Sequence, residues 1–160
     1  MCHDPPTVVF SMSSKQTPNP KKDTLQNIEK NRECVINIIS SWYLEQANIT
    51  SGEYPPSISE LDEAKLTSIP SEIVSPPRIK ESALQFECKV QDFYPILKDN
   101  NIVSTIAICS IELVHVQEDI YDKDSGTIFS QKLQPISRLG GIDYSSLGDI
   151  ISIPRPKVWK

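Results

Sequence analysis

The sequence predicts a mainly β protein with short helices and antiparallel strands, and three observations predict it. Ala83 to Val90 alternates, with Leu84, Phe86, Cys88 and Val90 on one side and Gln85, Glu87 and Lys89 on the other. That period of two is the mark of a half-exposed antiparallel strand. Ile102 to Val116 is a run rich in Ile and Val, enough for a strand that bends around a barrel. Helical signals, by contrast, are confined to short stretches between turn residues. At 160 residues the chain fits one domain over 1–160, large enough to fold on a single core without disulfide or metal staples.

In chain order, Thr7 to Met12 is β-branched and aromatic behind Pro5-Pro6 and reads as a buried strand. Residues 13–22, with two prolines and no apolar period, read as an exposed loop. Asp23 then opens a short helix that ends near Asn31, with Gln26 completing a capping-box pattern and Leu25 and Ile28 on its apolar face. Cys34 to Ile39 returns to strand composition. Ser41 to Ala47 reads as a second helix, and Ser57-Ile-Ser-Glu60, after Pro55-Pro56, as a capping box before a third of one or two turns. Leu66 to Arg78, with Pro70, Pro76 and Pro77, reads as an irregular connector. Asn100-Asn101 suits the turn before the long strand, and Asp122 to Gly126 suits another turn. A helical turn fits Gln131 to Ile136, and an extended tail fits 145–160, where Pro154-Arg155-Pro156 favours extended backbone.

Sixteen Lys and Arg against 21 Asp and Glu give a net charge of −5. Without a basic stripe, the chain has no electrostatic footprint for nucleic acid. No apolar run reaches membrane-spanning length, and Met1 to Pro6 lacks the character of a signal peptide. The expectation is a cytoplasmic protein with neither nucleic acid nor membrane as partner. Cys2, Cys34, Cys88 and Cys109 are far apart, and with only His3 and His115 beside them zinc-type spacing is absent. Cys34, Cys88 and Cys109 sit in apolar runs and read as buried hydrophobes.

No Ser, His and Asp grouping marks a nucleophilic site, so no side chain is assigned a catalytic role. Lys21-Lys22-Asp23-Thr24 stands at a helix start, where free amides, the positive end of the dipole, a lysine and a hydroxyl favour a phosphate. The same residues equally describe an ordinary capped helix with solvated lysines. Gly140-Gly141 either lets backbone approach a ligand or permits φ > 0 in a turn. Tyr144 either stacks on a flat ring or packs in a core. His3 beside Asp4 is an oriented imidazole or a flexible terminal pair.

Taken in order, several segments resemble the flavin reductase-like family: His3-Asp-Pro-Pro-Thr-Val-Val-Phe-Ser11, Lys22-Asp-Thr-Leu-Gln-Asn-Ile28, Val35-Ile-Asn-Ile38, Pro76-Pro-Arg-Ile-Lys-Glu-Ser82, Phe86-Glu-Cys88 and Arg138-Leu-Gly-Gly141. The ending Ile153-Pro-Arg-Pro156 is similar to the fungal branch. The resemblance implies an antiparallel, Greek-key FMN-binding split β-barrel, a homodimer with FMN in a cleft at the subunit interface. It also implies NAD(P)H as hydride donor and a small-molecule electron acceptor. By the same resemblance Lys22, Asp23 and Thr24 lie by the flavin phosphate, Ser11 near the flavin, and Arg138, Gly140, Gly141 and Tyr144 near the cofactor cleft. Family members carry an upstream strand-turn-strand segment ahead of the part matched here, so the resemblance implies an N-terminally incomplete barrel. Cys34 stands where an aromatic residue is common, and Cys109-Ser110 where Gly-Glu is expected. These departures define the alternative, a truncated, inactive paralogue or a non-enzymatic FMN-binding protein.

Overall fold

The Ile- and Val-rich run forms the longest strand of the molecule, and everything else in the main sheet is arranged around it. The structure, a computed structural model, describes residues 2–14, 21–55 and 57–157. Most of the expected 13–22 loop, residues 15–20, lies outside the described residues, as do Met1, Pro56 and 158–160. In chain order the elements are β1 (Cys2–His3), β2 (Pro6–Ser13), α1 (Asp23–Asn31), β3 (Glu33–Asn37), a 3-10 turn (Ser41–Tyr43) running into α2 (Leu44–Ile49), and α3 (Glu60–Glu63). There follow β4 (Ser68–Ile69), β5 (Arg78–Ile79), β6 (Leu84–Lys98), β7 (Asn101–Val116), a second 3-10 turn (Glu118–Ile120), β8 (Tyr121–Asp122), β9 (Thr127–Ile128), α4 (Ser130–Leu133), β10 (Ile136–Gly140) and β11 (Asp143–Ser146).

The main sheet is antiparallel throughout, in the order β1-β2-β7-β6-β3. At its centre β6 and β7 form a long hairpin closed by Asp99 and Asn100, both at positive φ. This pair is one residue earlier than the turn expected from sequence. Asn and Asp tolerate the left-handed region that such a turn requires. The register shifts three times along the hairpin, and bulges of this kind bend a ribbon. Smaller two-stranded pairings join β4 to β5, β8 to β9 and β10 to β11.

One face of the sheet is apolar. Leu25 and Ile28 of α1 pack there on Met12, Cys34, Cys88, Val90, Ala107 and Cys109, each large aliphatic contributing ~1.5–3 kcal/mol of transfer free energy. α1 stops at Arg32, whose φ of 61° is left-handed and whose N–H donates to the Ile28 carbonyl. The Arg32 guanidinium then lies 4.9 Å from the Phe93 ring centroid. Of the three core thiols, Cys34 meets both Cys88 and Cys109. For Cys34, the Cys109 thiol acts to lower its pKa, but the hydrogen bond with Cys88 and burial push it up to about 12. Cys109 is likewise pushed up, by Cys34 and by burial. Cys2, on β1, is exposed.

The other face overturns a sequence expectation. Gln85 and Glu87, read as the solvent side of the strand, are both buried, and Glu87 is fully so. The segment between β4 and β5 lies over them as a strap. The amides of Glu72, Ile73 and Val74 donate to the Glu87 carboxylate at 2.9, 2.7 and 3.1 Å. The next amide, Ser75, donates to Glu33 at 2.8 Å, and Ile79 N–H donates to Asn37 Oδ1 at 3.1 Å. His115 Nε2 sits 2.6 Å from Glu87 Oε1 and Arg78 Nε 3.7 Å from it. A carboxylate taken out of water is tolerable when its lone pairs are filled in this way.

Three other expectations shift. Of the strand read as buried, only Met12 is buried, and Val9 is exposed. The cap of α3 is Ser59, accepting from Asp62 N–H, in place of Ser57. Ser145 and Ser146, assigned to the tail, pair with Ser137 and Ile136, and residues 147–157 carry no regular element. Among the described residues no helix is long and apolar enough to cross a membrane.

The Glu87 cluster carries a pH dependence. Burial alone would raise its pKa, but the Glu72 and Ile73 amides, His115 and the Val74 amide hold it at about 2. The unfolded value is about 4.3. The carboxylate's stabilisation is therefore fully present above pH ~4.3 and is lost as pH falls towards 2. Glu87→Gln should cost about 1.5–3 kcal/mol near neutrality, the worth of a hydrogen-bonded charge. Urea unfolding of both proteins over falling pH should show that gap closing; a gap independent of pH would refute the assignment.

Candidate functional site

The start of α1 has no side-chain cap. Lys22 holds the N-cap position in extended conformation and gives the first turn no side-chain hydrogen bond. Asp23, expected as the cap, is instead the first helical residue. Gln26 Nε2 contacts Asp23 Oδ1 and the Lys21 carbonyl at 3.3 Å each, so the capping-box residue turns to the flank and leaves the helix end. First-turn amides without a side-chain acceptor are open to an anion. Lys21 is taken up by Glu29 at 2.7 Å, whereas Lys22 forms no ion pair among the described residues and stays available.

The turn that follows α2 faces this helix start. Thr50 Oγ1 donates to the Ala47 carbonyl at 2.8 Å and Ser51 Oγ to the Asn48 carbonyl at 2.7 Å, which closes α2. Gly52 leaves room for the Tyr54 ring: a Cβ there would stand 2.7 Å from Tyr54 Cε2, so the ring would have to shift. Between helix start and turn lies a cavity of about 220 Å³, lined by Lys22, Asp23, Thr24, Thr50 to Tyr54 and Glu60.

A second cavity, of about 340 Å³, opens on the other side of Thr50 and Ser51. Its walls are Ile39, Leu44, Ala47 and Ile136, with Arg138 and Tyr144 at one end. Arg138 Nη1 donates to Tyr144 Oη at 2.8 Å, Nη2 donates to the Gly141 carbonyl at 2.7 Å, and Tyr144 Oη donates to Asn48 Oδ1 at 2.8 Å. This relay fastens the β10–β11 hairpin to α2. The hairpin's base is held by Ile136 N–H to the Ile39 carbonyl and Ser41 N–H to the Gln134 carbonyl, each 3.0 Å. A third cavity, of about 380 Å³, shares Ile39, Ala47 and Thr50 and adds Tyr43, Leu61 and Ile79. Apolar walls with a few convergent polar groups are what a ring-bearing ligand requires.

The fold therefore brings Lys22, Asp23 and Thr24 together at one end, and Arg138 and Tyr144 at the other, with Thr50 and Ser51 lining both. Gly140 and Gly141 sit at the tip of the hairpin at φ of 108° and 56°, with open space where a Cβ would stand. Their role within the chain is the turn. Ser11 lies on β2 opposite Ile106, outside these cavities. Sequence reasoning missed Asn48 and Thr50 to Tyr54. Their only signal was the turn composition Thr-Ser-Gly, which any loop shares.

The flavin reductase like domain family model matches residues 1–134. The uncharacterized protein YwrF of Bacillus subtilis is 34% identical over 154 residues, covering 96% of this chain and 74% of that protein. BH2278 of Halalkalibacterium halodurans, also uncharacterized, is 33% identical over 156 residues, 97% of this chain and 73% of its own. Among solved structures, nitrilotriacetate monooxygenase component B from Bacillus cereus superposes with a TM-score of 0.89 at 32% identity, covering 96% of this chain and 74% of that one. A candidate flavin reductase with a split barrel domain from Shewanella frigidimarina superposes at 0.83 and 24% identity, over 98% and 74%. These likenesses identify the mainly β architecture as the split-barrel fold.

Tyr144→Phe removes the hydroxyl that joins Arg138 to Asn48. Of the two hydrogen bonds lost, the one to Asn48 ties the hairpin to α2 and is worth about 1 kcal/mol, so amides of β10 and β11 should exchange about fivefold faster or more. Exchange at Leu25 and Ile28 should be unchanged. Equal acceleration in both places would show that the relay does not fasten the hairpin locally.

Proposed function

The chain belongs to the flavin reductase-like domain family, and we propose that its cleft binds FMN and that the protein passes reducing equivalents from NADH or NADPH through that flavin to a small-molecule acceptor. Family membership and the likeness to nitrilotriacetate monooxygenase component B support a flavin reductase-type function. The observation that carries the finer reading is the shared lining: Thr50 and Ser51 join the uncapped start of α1 to the Arg138 and Tyr144 cavity.

The residues fit the group. First-turn amides of α1 and the Thr24 hydroxyl donate to the phosphate, and Lys22 balances its charge. Asp23 contributes through its backbone, its carboxylate being engaged by Gln26. Ile39, Leu44, Ala47 and Ile136 give the ring an apolar wall that excludes water, and Arg138, held by Tyr144 and the Gly141 carbonyl, gives that wall a fixed cationic rim. When bound, the flavin supplies hydride acceptance and release, and the chain supplies binding and orientation. A site of this kind requires no nucleophile or metal from the protein.

We also propose a homodimer, which would account for Ser11 standing apart from the cleft of its own chain. Exposed apolar side chains on the β6–β7 hairpin, in the β10–β11 turn and on the tail, among them Tyr94, Leu97, Ile142 and Ile153, support an association surface. Cytoplasmic location without nucleic-acid or membrane partners completes the reading. The fungal-branch assignment rests on the Ile153-Pro-Arg-Pro156 ending alone.

Titration of FMN into the purified chain should saturate at one flavin per chain and be followed by oxidation of NADH or NADPH. Lys22→Ala should weaken FMN by about 1.5–3 kcal/mol, the worth of a charge-assisted bond. Thr24→Ala should cost less, because its hydroxyl is neutral. Unchanged FMN affinity in Lys22→Ala removes Lys22 from the site, and absence of saturable binding rejects the function. Flavin bound without nicotinamide oxidation assigns a non-enzymatic flavin protein instead.

A further inference from the structure

At the open end of the β6–β7 hairpin lies a cavity of about 260 Å³ that shares no lining residue with the cavities of the cleft. Arg78 of β5 and Lys80 just after it line this space, while Ile79 between them lines the third cavity. Such alternation is what extended backbone imposes, so this short segment is a wall common to two separate spaces. The other polar groups lining the new one are Ser82, Gln85, His115 and Gln117.

Two cations meet here in a chain of net charge −5. Gln85 Oε1 accepts from Arg78 Nη1 at 3.0 Å, and the Pro70 carbonyl accepts from Nε and Nη2 at 3.2 and 3.0 Å. The guanidinium is thereby fixed, and one N–H on each terminal nitrogen remains to be given. Glu87 lies 3.7 Å from Arg78 Nε but is already filled by the strap amides and His115. Lys80 forms no ion pair among the described residues, and its neighbour Glu81 takes the Thr67 amide. The Gln117 carboxamide is likewise without a hydrogen bond among them. Donors of three kinds therefore line one small space with no acceptor between them.

His115 decides which anion fits. The ionised Glu87 can only accept, so His115 Nε2, 2.6 Å away, carries the proton. In the neutral ring Nδ1 is then a bare acceptor, and Glu72 Oε1 lies 3.8 Å from it. An anion with no proton to give is repelled at this corner, and one that keeps a hydroxyl is held. Near neutral pH inorganic phosphate keeps a P–OH, whereas sulfate has none and a phosphomonoester, with its second pKa of about 6, has lost its own.

We propose that this cavity is a site for inorganic phosphate, in which Lys80, Arg78 and Gln117 donate to its oxygens and the P–OH donates to His115 Nδ1. The site stands apart from the cleft and does not depend on the flavin reading.

The test is titration of inorganic phosphate into the full chain at constant ionic strength and about pH 8, where a monoester is fully ionised, followed by amide NMR spectra. Amides of Lys80, Ala83 and Gln117 should shift and saturate, and sulfate and methyl phosphate should bind about fivefold more weakly or worse, each lacking one hydrogen bond. Lys80 and Gln117 are exposed, so their variants keep the fold. Lys80→Ala should weaken phosphate about tenfold and Gln117→Ala about threefold or more, while Lys22→Ala should leave these shifts as they are. Shifts confined to the start of α1 and lost in Lys22→Ala would place phosphate at the flavin end of the cleft and overturn the new site. Equal binding of sulfate, unchanged affinity in Lys80→Ala, or shifts that never saturate would overturn it too, the last marking an adventitious ion only.

Discussion

The carboxylate of Glu87 is the constraint on which the rest of the structure depends. It is fully buried near the open end of the longest hairpin, and burial of an ion is costly unless every lone pair is filled. Three consecutive amides of the strap fill it, together with His115, and the next amide is taken by Glu33. The strap has almost no regular structure of its own, so these bonds determine where it runs. Its far end carries Pro77 and Ile79 to the wall of the cavity under Tyr43 and Leu61. A buried charge thus fixes part of that cavity's wall.

The two faces of the sheet are held by different physics. On one, α1 is bound by aliphatic burial, which is non-directional and tolerates small shifts. On the other, the strap is bound by short, directed hydrogen bonds to an ionised group, which tolerate very little. The candidate cleft draws on both. The end at the start of α1 depends on how that helix sits on the core through Leu25 and Ile28, and the far end depends on a polar relay through Tyr144 and Asn48. One end is therefore as stable as the core, while the other opens with a hairpin held mainly by hydrogen bonds.

What was legible in the sequence follows from which interactions leave a pattern. The first half of β6, most of β7 and the buried pair on α1 were legible, because apolar burial leaves runs and periods in the sequence, whereas the exposed arm of β6 beyond Val90 was not. Glu87 was not. Alternation placed it with Gln85 and Lys89 on the water side, and only Lys89 is exposed. Its partners are backbone amides of a proline-rich connector, and amides have no residue identity for a sequence to display. The same reason hid the loop across from α1. Lys22, Asp23 and Thr24 were named as a phosphate site, but the turn that encloses them owes its place to α2 and to Gly52 against Tyr54, contacts that no spacing announces. The cap of α3 moved from Ser57 to Ser59 because two serines satisfied nearly the same motif and only packing chose between them.

The three thiols packed under α1 give the molecule a built-in record of its own integrity. Cys34 and Cys109 are held in the protonated form, and with Cys88 they are sealed from solvent, while Cys2 alone is exposed. Alkylation requires both a thiolate and access. A folded chain therefore presents one reactive sulfur to a labelling reagent and an unfolded chain presents four, so the mass added in a pulse of reagent counts the open molecules directly. The handle at Cys2 is also the natural place for a dye that leaves both the core and the cleft untouched.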